Sequence, residues 1–172
     1  ATTGQALTLT LTDATGTTDV VNVNLSGTNL VAANTITAAN VEKVNIKGSD
    51  QAAADVATIN TMALVATKAT SVVVTGSDGL TLTNAGNTKI TSFDASGVAA
   101  TNASDTAANM AVAFTSANTS TVAAVSIKGG AGEDTLTGNN GIDTISGGAA
   151  ADILVASSGN DVYSGDAGND TF

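Results

Sequence analysis

Five aspartates stand nine residues apart: Asp134, Asp143, Asp152, Asp161 and Asp170. Each is the sixth residue of a nonapeptide, in GGAGEDTLT (129–137), GNNGIDTIS (138–146), GGAAADILV (147–155), ASSGNDVYS (156–164) and GDAGNDTF (165–172). The eighth residue is always large and apolar: Leu136, Ile145, Leu154, Tyr163 and Phe172. With no His and no Cys in 172 residues, the chain has no imidazole base, thiolate zinc site, disulfide or cysteine nucleophile. Any metal it holds is bound by oxygen. Residues 129–172 carry seven acidic groups and no Lys, a net of −7, whereas residues 1–128 carry eight acidic groups and five Lys, a net of −3. Such a run of like charge repels itself until a cation neutralises it.

The nonapeptide spacing says which elements hold these carboxylates. Glycines at the first, second and fourth positions are expected to turn the backbone at positive φ. The triplet around the eighth residue then forms a short strand with one side chain inward. Two units make one coil of a flattened parallel solenoid. Units one, three and five stack their turns along one edge, and units two and four along the other, with coils about 4.8 Å apart. A cation between stacked turns meets six to eight oxygens, which suits calcium and not magnesium. The five inward apolar residues contribute roughly 1.5–3 kcal/mol each, too little to order the turns alone, so this segment is expected to fold when calcium binds.

The pattern is G-G-x-G-x-D-x-U-x, and the segment resembles the RTX family of secreted bacterial proteins. The resemblance implies Ca2+ as the ion and a ligand set shared between turns one coil apart. One site would use Gly130, Gly132 and Asp134 with Gly147, Ala149 and Asp152. A second would use Gly148, Ala150 and Asp152 with Gly165, Ala167 and Asp170, and a third Asn139, Gly141 and Asp143 with Ala156, Ser158 and Asp161. Ala150 stands where the pattern has one Gly, and Ala156-Ser157 where it has two, so the second and third sites depart most from it.

Residues 1–128 read as a Thr- and Ala-rich β-solenoid-like region leading into the RTX β-roll of residues 129–172. Leu7, Leu9 and Leu11 alternate with Thr, and Val21, Val23 and Leu25 with Asn and Ser, a pattern that predicts an N-terminal β-hairpin with its loop around Asp13 to Thr18. An apolar-x-x-apolar-x-apolar-x-Gly motif follows four times: Val41, Val44, Ile46, Gly48; Ala69, Val72, Val74, Gly76; Ile90, Phe93, Ala95, Gly97; and Val122, Val125, Ile127, Gly129. Recurring strands closed by Gly predict stacked coils. Their small side chains and 2% aromatic content suit a thin interior. Val56, Ile59 and Ala63 after Asp50, and the Ala-rich stretch 102–113 after Asn102, predict short helices on the flank. The fold class is therefore all-β, a right-handed parallel β-solenoid ending in an RTX β-roll and starting with a hairpin.

Hairpin, VEKVNIKG strand, TSFDASG stretch and RTX units together resemble the S-layer and adhesin-like surface proteins that Gram-negative bacteria export by type I secretion. That resemblance implies a calcium-binding structural protein of the extracellular surface layer. Its implied partners are further copies in a lattice and a cell-surface polysaccharide. The alternative is a calcium-stabilised stalk or C-terminal module of a larger adhesin or toxin. Relatives of this kind continue into a C-terminal secretion signal, so the sequence is expected to be a fragment; it opens without the basic and apolar regions of a cleavable signal. A net charge of −10 with no Arg excludes nucleic acid, and no stretch approaches the roughly 20 apolar residues of a membrane span. RTX units also follow proteases and lipases, but H-E-x-x-H and G-x-S-x-G are both missing. Asp50, Asp55, Asp78, Asp94 and Asp105 read as turn and surface carboxylates, and the chain is read as a non-enzyme.

Overall fold

Alternation of β-branched and polar residues writes strands along the chain, because each strand then has one side for a core and one for water. The computed structural model describes residues 6–10, 16–26, 34–49, 59–155 and 157–172. Within them, fourteen strands form two seven-stranded sheets. One sheet runs β1 (Ala6–Thr10), β3 (Asn34–Ala39), β5 (Ile59–Val65), β7 (Gly79–Thr83), β9 (Val112–Thr115), β11 (Thr135–Thr137), β13 (Ile153–Val155). The other runs β2 (Val20–Ser26), β4 (Lys43–Ser49), β6 (Ser71–Gly76), β8 (Ser92–Val98), β10 (Ser126–Lys128), β12 (Thr144–Ala149), β14 (Val162–Ala167). Each coil places one strand in each sheet, and every ladder is parallel. The fold is thus an all-β parallel solenoid.

The core is a thin seam between the sheets. In the even sheet Val44, Val72, Phe93, Ile127, Ile145 and Tyr163 stack in register. In the odd sheet Met62, Leu82, Phe114, Leu136 and Leu154 do the same. Phe93 and Phe114 meet across the seam with ring centroids 3.9 Å apart and planes 10° from parallel. They are the bulkiest fully buried side chains among the described residues. Both sheets cross residue 128 without interruption, β8 pairing with β10 and β10 with β12.

Four expectations need correction. The first two strands are not a hairpin: β1 and β2 lie in different sheets and pair in parallel with β3 and β4. One hairpin could cover the apolar face of one sheet only, whereas strands split between sheets cover both. The helix expected around Ile59 and Ala63 is strand β5, because Met62 and Leu64 alternate inward at a period of two; Asp50 and Val56 lie outside the described residues. In the stretch 102–113 only Ala107–Met110 is helical, a single 3-10 turn with Thr106 as its N-cap, and β9 begins at Val112. The fourth copy of the spaced motif sits two residues out of register. Ile127, not Val125, pairs with Phe93, and Val122 is 91% exposed.

Candidate metal centre

At the corners of the early coils, neighbouring coils are stapled by asparagine side chains. Asn87, fully buried, accepts from Ala66 N at 2.7 Å and donates to Leu64 O at 2.8 Å. Asn118 Nδ2 donates to Ile90 O at 3.0 Å, and Asn84 Nδ2 to Thr115 O at 3.1 Å. A neutral amide both donates and accepts, so it satisfies a buried corner by itself. Asp78, in the turn between β6 and β7, is buried rather than superficial and accepts from Asn60 Nδ2. Asp94 accepts from Ser96, and Asp105 from the amides of Thr101 and Asn102.

From Asp134 onward carboxylates take over the corners. Each repeat aspartate accepts, through Oδ1, the backbone N–H of the sixth-position residue one coil earlier. Asp152 thus binds Asp134 N at 2.8 Å, Asp170 binds Asp152 N at 3.0 Å, and Asp161 binds Asp143 N at 2.9 Å. The first member of each edge reaches into the coils that precede the repeats, Asp134 to Val112 N at 2.7 Å and Asp143 to Val125 N at 2.9 Å. Their second oxygens accept from the second residue of their own turn, Gly130 N at 2.7 Å and Asn139 N at 2.6 Å. In unit four Ser157 Oγ and Tyr163 OH serve Asp161 Oδ2.

Asp152 is different. It is 1% exposed, and its Oδ2 is buried with no hydrogen-bond partner. Burial raises its pKa, and the charges of Asp170, Asp166 and Glu133 raise it further. For Asp134 desolvation wins over the amides of Gly130 and Val112, with Asp152 adding repulsion, and the pKa rises to about 7. Asp161 goes the other way, lowered chiefly by the N–H of Asp143 and then by Ser157 and Tyr163. A carboxylate cannot donate, so unlike an asparagine it depends wholly on donors, and none reaches Asp152 Oδ2. A hard cation would satisfy that oxygen. Among the described residues no three acidic side chains converge on one point, so the remaining ligands must be backbone carbonyls.

Residues 124–145 and 137–172 match the family model for the RTX calcium-binding nonapeptide repeat (4 copies). Residues 124–172 are RTX repeats. RTX nonapeptide repeats bind Ca2+, and the all-oxygen corner with its buried unpartnered Asp152 Oδ2 fits that ion. No curated protein matches the chain. RTX repeat proteins are typically secreted, and no helix among the described residues is long and apolar enough to cross a membrane.

The register of the RTX coils is 18 residues, Ser126 on Thr144 on Val162 and Thr135 on Ile153, so two units make one coil. The structure brings Asp134, Asp152 and Asp170 onto one edge, and Asp143 with Asp161 onto the other. Gly130 O, counted as a ligand of the first site, accepts from Ala149 N at 2.9 Å, so these two turns are in contact. Close stacking also puts Gly147 O beside Gly129, Ala150 O beside Gly168, and Gly141 O beside Gly159. Gly132 packs against Met110 O, Gly165 against Asp170 Oδ2, and Ser158 Oγ donates to Asn140 Oδ1. Ala167 pairs with Ala149 in the β12–β14 ladder. Ala156 lies outside the described residues.

The glycines divide differently from the expectation. Among the described residues of the repeats, left-handed backbone occurs only at second and fourth positions and only from the third unit on, as at Gly148 (φ 114°) and Ala150 (φ 82°), so the glycines of the first two units do not turn at positive φ. First-position glycines serve another need: a Cβ at Gly129, Gly138, Gly147 or Gly165 would strike the Oδ2 of its own unit's aspartate. Sequence reasoning missed Val112 and Val125, whose amides anchor the first aspartates. The signal for Val125 was present, since residues 120–128 form an earlier nonapeptide with Val125 sixth and Ile127 eighth. Of the five apolar eighth residues, Leu136, Ile145 and Leu154 are buried and Tyr163 partly so, but Phe172 is 68% exposed, edge-on to Tyr163. Thr171 makes only one bridge, to Ile153.

Proposed function

We propose that this chain is a structural building block of a bacterial surface layer, in which calcium completes the RTX coils and thereby licenses assembly with further copies. A calcium-binding structural module is the coarser reading, carried by the RTX match. The observation that favours a layer is the partition of charge between the two faces. No strand of the odd sheet contains a charged residue. The even sheet carries Lys43, Lys47, Asp94, Lys128 and Asp166. Outward columns such as Thr61, Thr81, Ala113, Thr135 and Ile153 run in register along the odd sheet. Seven strands give that face a length of about 29 Å. In a molecule of net charge −10 it is the surface where another copy meets no fixed charge. Acidic turns at the edges repel neighbours until calcium neutralises them.

Analytical ultracentrifugation across a calcium titration tests this. Association that rises with calcium and is abolished by Thr81→Lys with Thr135→Lys supports the layer. A chain that binds calcium and stays monomeric at high concentration supports the stalk of a larger adhesin or toxin instead.

A further inference from the structure

We infer that the first RTX coil, residues 129–146, is laid on the preceding solenoid, whose corners carry no repeat aspartate, without calcium, and that the calcium requirement begins with the second coil at Asp152. Folding of the roll then runs from residue 129 towards residue 172. This rests on the reading above that calcium orders the repeats, and narrows it to part of them.

Both oxygens of Asp134 and both of Asp143 accept backbone N–H groups. In each pair one donor, Val112 N or Val125 N, belongs to a coil with no repeat aspartate at that corner, so no like charge faces the first rung from the N-terminal side. The turn of unit one is fastened further, by Ala131 N to Val98 O at 3.0 Å and Glu133 N to Ala107 O at 3.1 Å. On the other edge Asn139 Nδ2 donates to Ser120 O at 3.1 Å, repeating the asparagine staple of the early coils. Strands β10 and β12 continue the ladder from β8, and β11 continues it from β9. Among the described residues, no buried side-chain oxygen or nitrogen of this coil is left without a partner.

The second coil receives the same bonds from the coil before it, Asp134 N to Asp152 Oδ1 and Asp143 N to Asp161 Oδ1, but at Asp152 the donor from its own turn is missing. Its turn at residues 147–152 lies against a turn that already carries Asp134, and Asp152 satisfies only one oxygen, leaving Oδ2 buried and unpartnered. A buried charged oxygen without a donor is costly, and a calcium ion from solution relieves it there.

Hydrogen exchange on the full chain, in chelator and in millimolar calcium, measures this directly. In chelator, peptides from residues 129–146 are expected to exchange at least about tenfold more slowly than peptides from 147–172, with residues 71–98 as the folded reference. Calcium should then protect 147–172. Equal, fast exchange of 129–146 and 147–172 in chelator overturns the inference and leaves calcium-driven folding intact. Equal protection of both in chelator overturns the calcium-driven folding itself. The double variant Asp134→Ala with Asp143→Ala should lose the chelator-state protection of 129–146 while 71–98 keeps its own; retention of that protection also overturns the inference.

Discussion

Replacing Asp152 by alanine should remove mainly calcium-dependent stability, and replacing Asp143 by alanine mainly stability that needs no calcium. Asp152→Ala removes one acceptor, that of Asp134 N, but also removes a buried oxygen that has no donor. An unpaired buried amide costs about 1–3 kcal/mol and the orphaned carboxylate oxygen a similar amount, so in chelator the change is close to neutral. Asp143→Ala strands two donors, Val125 N and Asn139 N, and should cost roughly 2–6 kcal/mol in chelator. The loss of calcium-dependent stability ranks the other way. At about ten times its dissociation constant, each bound ion adds about 1.4 kcal/mol, so three sites add about 4 kcal/mol. Asp152 belongs to two of the proposed sites and Asp143 to one. The calcium increment should therefore fall to about 1.4 kcal/mol in Asp152→Ala and only to about 3 kcal/mol in Asp143→Ala. Urea titrations with and without calcium give the increments, and calorimetry gives the stoichiometry. Equal increments for the two variants would refute the shared-ligand register.

Three further outcomes follow from particular residues. Ala150 is held at φ 82°, where an L side chain costs about 1–2 kcal/mol, so Ala150→Gly should raise stability in calcium by up to about 1 kcal/mol after the entropy of glycine is subtracted; a lower urea midpoint would count against the left-handed turn. The carboxyl of Asp134 has its pKa raised to about 7 by burial, above the unfolded value of about 3.9. Its contribution is complete below about pH 4 and is lost as pH rises through 7, so stability in chelator should fall between pH 5 and pH 8 and the calcium increment should grow; a rise over that interval refutes the assignment. Phe93→Ala, which empties half of the ring pair at the centre of the seam, should cost about 3–5 kcal/mol in chelator and in calcium alike, and a loss seen only with calcium would contradict a template role for the solenoid.

What the sequence determined by itself was whatever repeats locally. Five aspartates and five apolar residues at a period of nine specify the turn, the short strand and the pairing of every second unit, because each unit contains all the residues its own conformation needs. Val44, Val72 and Phe93 likewise fall into register from spacing alone. Tertiary structure decided what depends on a neighbour about one coil away. The valines of β2 read equally well as half of a hairpin, and only the open face of Val44 and Ile46 assigns them to a parallel edge. The strand at Ile59–Val65 shares its apolar spacing with a helix until the sheet on both sides selects a period of two. The repeat aspartates look equivalent in sequence, yet Asp134 and Asp143 find both partners in protein and Asp152 does not. All three accept one N–H from the preceding coil, of Val112, Val125 and Asp134. The difference lies in the turn's own conformation: the second-position N–H of Gly130 and of Asn139 reaches the second oxygen, whereas Gly148 is held at φ 114° and no donor reaches Asp152 Oδ2, which no period within the nonapeptide records.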